Sequence, residues 1–146
     1  MQTINAIQDE LIDEFSFVED WVDRYTMLIE YGKQLPPFPV ELRTQQNLID
    51  GCQSQVWFTA QMQDGRVIYQ ADSDALLVKG IVALLLQVLN GQTPQDIINA
   101  ELYFIDKIGL REHLSPTRAN GLAAMLKQMK LYALALLNSP ASANVG

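Results

Sequence analysis

The sequence predicts an α+β domain, with helices packed on a small antiparallel sheet of about three strands. Two observations carry that prediction. Apolar residues recur at helical spacing near the start of the chain and again beyond residue 73, but between residues 55 and 71 the period drops to two. An Asp64-Gly65 pair interrupts this alternating stretch, and Asp-Gly is a strong two-residue hairpin signal.

Each element has its own cause. Ile4, Ile7, Leu11, Ile12 and Phe15 fall on one helical face, so residues 3–15 are expected to form an amphipathic helix. Ser16 to Glu19 has the spacing of a capping box. A second helix is expected from there, burying Val18, Trp21, Val22, Tyr25, Leu28 and Ile29 and ending at Gly32. Leu35-Pro36-Pro37-Phe38-Pro39 reads as an extended connector, because proline lacks the helical donor and restricts the residue before it. From Gln55, the residues Val56, Phe58, Ala60 and Met62 alternate with Trp57, Thr59, Gln61 and Gln63, as in a strand buried on one face. Arg66 to Ala71 would return beside it, and residues 47–50 are expected to add a third strand. Trp57 lies on the more polar strand phase, where a covering helix or a docking partner would shield it.

Ser73 can cap a helix over Ala75 to Leu89 that is apolar almost all round and closed by Asn90-Gly91. Such a helix belongs in the middle of a core. Thr93-Pro94 and Ser115-Pro116 each place a capping residue before a proline, which marks two further helix starts, the last helix running to about Leu137. Residues 1–138 thus form one domain, and 139–146 are small and polar enough for a disordered tail.

Charge and composition narrow the function. Ten Lys and Arg against 17 Asp and Glu give a net charge of −7, which disfavours nucleic acid and anionic membrane surfaces as partners. Asp9, Glu10, Asp13 and Glu14 interrupt any signal-like run near the start, and Lys79 and Gln87 break the best apolar stretch. A soluble protein of a reducing compartment, the cytoplasm, is expected.

Cys52 is the single cysteine, in Asn47-Leu48-Ile49-Asp50-Gly51-Cys52-Gln53-Ser54. Free cysteine usually packs as a small apolar side chain, yet Gly51-Cys52-Gln53-Ser54 has no apolar phase to serve. The expected place is a loop at the sheet edge. One cysteine and one histidine, His113, cannot build a four-ligand zinc site, and a dithiol oxidoreductase needs a second thiol. A cysteine hydrolase would depend on His113 as base, and that residue sits just before the Ser115-Pro116 helix start. A helix-end role suits it better. Sulfur relay survives: a thiolate that attacks the outer sulfur of a persulfide becomes a persulfide itself and needs no resolving cysteine.

The segments GCQSQVW (51–57), DSDALLVKGIVALLL (72–86) and HLSPTRANGL (113–122), in this order, with LPPFP (35–39), resemble the SufE family of sulfur acceptors from about Arg24 to Lys130. The resemblance implies that Cys52 carries the persulfide. Gly51, Gln53, Ser54, Asp74 and Arg118 would support it or touch the partner. That partner would be a SufS-type cysteine desulfurase. Pyridoxal phosphate would belong to the desulfurase, so no cofactor is expected on this chain. Delivery would be to a SufB-containing scaffold for iron–sulfur cluster assembly.

The chain departs from the family pattern at Ala71, where glycine is common, and at Thr117 and Ala119, where serines flank the arginine. Arg118 near a helix start could lower the pKa of a neighbouring thiol, since a cation and a helix N-terminus both favour the anion; a surface or capping contact is the plainer role. Asp72 and Asp74 suit solvated acids at a helix start as well as partner contacts. Two classes of function remain open: a carrier loaded covalently on Cys52, feeding cluster assembly or another sulfur pathway, and an adaptor that activates a desulfurase by docking alone.

Overall fold

The computed structural model describes residues 2–52, 54–138 and 144–145. Helix α1, Ile4–Ser16, starts where the Thr3 hydroxyl accepts from the Ala6 N–H at 3.1 Å, and it buries Leu11 and Phe15. The expected capping box does not start α2. Ser16 stays in α1 and its hydroxyl donates to Asp13, while Asp20 accepts from the Val22 N–H at 2.7 Å and opens α2, Trp21–Lys33. This turns the helix, leaving Val22 70% exposed rather than buried. Arg24 pins the corner by donating to the carbonyls of Val18, Ile108 and Phe15 at 2.6, 2.8 and 3.1 Å.

Gly32 does not end α2 but lies within it, against α3, Leu76–Leu89. A Cβ on Gly80 would fall 2.0 Å from the Leu28 carbonyl oxygen, so the two helices cross backbone to backbone. Helix α3 is the centre of the core. Ten of its residues are buried, from Val78 to Leu89, each contributing about 1.5–3 kcal/mol when it is a large aliphatic side chain.

Strands β1, Val56–Gln63, and β2, Arg66–Ser73, pair antiparallel from Val56 opposite Ser73 to Gln63 opposite Arg66. The Asp64-Gly65 turn has φ of 53° and 79°, the left-handed pair that matches the twist of a tight hairpin. Residues 47–50 do not form the expected third strand. Gln45–Asn47 is a 3-10 turn in which the Asn47 amide donates to the Leu42 carbonyl at 2.9 Å, and only Leu48 bridges to β1, at Trp57. The third strand, β3, is Asn144–Val145, paired with Gln61 and Ala60. Residues 139–143 and 146 of the expected tail lie outside the described residues.

Thr93 caps α4, Pro94–Asn99, as expected. Two short helices without a capping signature follow, α5, Phe104–Ile108, and α6, Leu110–His113, before the long α7, Pro116–Asn138. None of the helices among the described residues is long and apolar enough to cross a membrane.

Candidate functional site

Cys52 lies in the loop just before β1, half-buried against α7. Its Sγ is 3.7 Å from the Gly121 carbonyl oxygen, a weak S–H contact. Gly121 lies directly against Cys52: a Cβ there would stand 3.5 Å from Sγ, in van der Waals contact with it. Gly51 holds φ at +90° and packs on the same helix, where its own Cβ would meet Ala124 at 3.3 Å. The thiol opens into a cavity of about 330 Å³ lined by Ser54, Val78, Ile81, Arg118, Gly121 and Met125 among others. Of these lining residues Val78, Ile81 and Met125 are buried, and Arg118 is exposed. A wider polar hollow of about 720 Å³, between the starts of α1 and α4, contains no cysteine or histidine.

The loop stands on two feet at the start of β1. Before it, the Ile49 N–H donates to the Val56 carbonyl at 2.9 Å. After it, Gln55 is held on both sides: its N–H donates to the exposed Asp74 carboxylate at 3.1 Å, while its carbonyl accepts from Ser73 Oγ at 2.9 Å and the Asp74 N–H at 3.2 Å. Gln53, between them, lies outside the described residues.

Burial raises the Cys52 pKa above its ordinary value near 9. This runs against the expectation that Arg118 and a helix start would lower it: in the free chain the loss of solvent outweighs them. Asp72 also differs from expectation. It is not solvated but 4% exposed, paired with Arg43 at 2.5 Å and Lys79 at 3.2 Å. Trp57 is buried, and the Arg43 guanidinium lies 5.3 Å from its ring centroid. His113 does not line the cavity; it stacks on Trp21 at 3.8 Å at the end of α6. Hydrolysis with His113 as base thus has no geometry to work with.

Sequence reasoning missed Gly121, Val78, Ile81 and Met125 as walls of the site. Only Gly121 carried a signal, since glycine inside a helix costs about 1 kcal/mol relative to alanine and marks a close approach.

Fold and site together define an α+β protein with one half-buried thiol at a helix-walled cavity. The chain belongs to the SufE family: the family model described as "SufE: Fe-S metabolism associated domain" matches residues 9–133, reaching further toward the start than Arg24. It is 45% identical over 126 residues to an uncharacterised SufE-like protein of Synechocystis sp., covering 86% of this chain and 79% of that one. A second, from Rhizobium meliloti, is 42% identical over 127 residues, covering 84% and 91%. The solution structure of a hypothetical protein from Thermus thermophilus superposes with a TM-score of 0.76 at 24% identity, covering 91% of this chain and 97% of that one, and shares the fold. The family is associated with Fe–S metabolism.

Proposed function

We propose that Cys52 accepts sulfur from a SufS-type cysteine desulfurase and passes it to a SufB-containing scaffold for iron–sulfur cluster assembly. The supporting observation is the half-buried thiol beside the positive-φ Gly51, on a cavity that Arg118 also lines. In the transfer, the Cys52 thiolate attacks the outer sulfur of the donor's persulfide. A new S–S bond forms on Cys52, the donor's S–S bond breaks, and its electron pair leaves on the donor thiolate. No net oxidation occurs, and the proton lost from Cys52 is matched by one available to the donor's cysteine.

In this reading the burial that raises the Cys52 pKa would disfavour the thiolate in the free protein. Docking would swing the loop outward, restore solvent to the sulfur and let the Arg118 guanidinium favour the anion. Asp74 and Ser54, at the loop's exit, would meet the partner or set the loop's path. Pyridoxal phosphate acts on the desulfurase, not here. A single cysteine with no disulfide partner suits a reducing compartment, the cytoplasm, and the half-burial of Cys52 would shield its persulfide from the thiols there.

Intact mass after incubation with a SufS-type desulfurase and cysteine tests this. The chain should gain about one sulfur atom on Cys52, released by reductant, and Cys52→Ser should gain none. Equal loading of Cys52→Ser sinks the acceptor reading. Faster desulfurase turnover without loading of the intact protein would leave an adaptor.

A further inference from the structure

We propose that Asp72 is a positioning residue for Cys52, a buried carboxylate that ties together three walls of the thiol's loop. The inference rests on reading Cys52 as the reacting group. Asp72 ends β2 with a carboxylate enclosed by Arg43, Lys79 and the Ser73 N–H, which donates to it at 2.8 Å. Each partner leads to a different side of the loop. Arg43 belongs to the connector that feeds residues 48–52, and its guanidinium also covers Trp57, the cross-strand partner of Asp72. Lys79 stands on α3 between the neighbourhoods of Val78 and Ile81, which wall the cavity. Ser73 uses its hydroxyl to hold the Gln55 carbonyl, the loop's second foot.

The pieces are individually weak anchors. Leu48 has a single bridge to β1, the Arg43 and Lys79 side chains are partly exposed, and Gln55 is gripped by short polar side chains. A charge shielded from water is what joins them, because ion pairs strengthen as the local dielectric falls and an unpaired buried charge is costly. The charge of Asp72 therefore determines how firmly the loop sits on α7, and with it how well the Cys52 sulfur is shielded, without Asp72 touching the sulfur itself.

Asp72→Asn keeps the shape and removes the charge. In the free protein, iodoacetamide should label Cys52 at least tenfold faster in this variant, and the pH midpoint of labelling should fall toward the ordinary thiol value as solvent reaches the sulfur. Arg43→Gln and Lys79→Gln, each leaving one cation in place, should give smaller rises of the same kind. Leu11→Ala, a core change on α1, serves as the measure of general loosening: it should leave the pH midpoint of labelling where it is. Wild-type labelling rate and pH midpoint in Asp72→Asn overturn the proposal, as does an equal shift in Leu11→Ala. If Asp72→Asn does not fold, Arg43→Gln decides in the same two directions. No desulfurase takes part, so failure here leaves the mass test of Cys52 loading standing, and failure of loading leaves this result standing.

Discussion

Replacing Gly51 with alanine isolates the loop's contribution to shielding the thiol. Gly51 holds φ at +90°, where an L side chain costs about 1–2 kcal/mol. The added Cβ would also lie 3.3 Å from Ala124 Cβ, inside the roughly 3.5–4.0 Å at which carbon atoms attract. The seated loop should therefore lose about 1–2 kcal/mol relative to conformations with negative φ, a shift of about 5- to 30-fold in its population. Labelling of Cys52 by iodoacetamide, divided by the rate in the urea-unfolded chain, should rise by that factor. Gly65→Ala is the matched control, because Gly65 also has positive φ, +79°, with nothing within 4 Å of its would-be Cβ and no place at the site. It should lose comparable stability and leave labelling unchanged. Adding Ala124→Gly to Gly51→Ala removes the crowding and keeps the backbone strain, so it separates the two causes. Should Gly51→Ala lose stability while Cys52 labels at the wild-type rate, the seated loop is not what protects the sulfur, and the gating argument fails.

Further outcomes follow from the same geometry. Gly80→Ala should destabilise the fold by about 3 kcal/mol, at the upper end of overpacking costs, because its Cβ would fall 2.0 Å from backbone that cannot turn aside; an unchanged thermal midpoint would contradict the close crossing of α2 and α3. Arg24→Met should cost about 3 kcal/mol in urea unfolding by leaving the carbonyls of Val18, Ile108 and Phe15 without their donor, and a loss within error would show that solvent replaces it freely. The Cys52 pKa is raised on folding, so the unfolded chain ionises first and stability should fall as pH climbs through about 9. Tyr31 and Tyr69, also raised, act in the same direction at higher pH. The urea midpoint of Cys52→Ser should consequently decline less than that of the wild type between pH 8 and 10, roughly the span around an ordinary thiol; parallel declines would remove Cys52 from the account.

Elements whose cause is local were legible in the order of the residues. Alternation and a left-handed Asp-Gly pair specify the hairpin, Thr93-Pro94 and Ser115-Pro116 specify helix starts, and an all-round apolar run specifies a central α3. The sequence also singled out Cys52, since one thiol in a polar loop beside glycine is unusual at the level of neighbours in the chain. Features that depend on distant segments meeting were not legible there, because the folded chain brings their partners together. Whether Ser16 or Asp20 caps α2 turned on where the chain bends to let Arg24 reach Ile108, a contact far along the sequence. The burial of Asp72 needed Arg43 and Lys79 to arrive from separate elements, whereas an Asp-Ser-Asp run at a helix start looks solvated. The thiol's raised pKa has the same origin: local sequence shows a cation near a helix start, but solvent exclusion by α7 acts on Cys52 only once Gly121 and Ala124 come to lie beneath its loop.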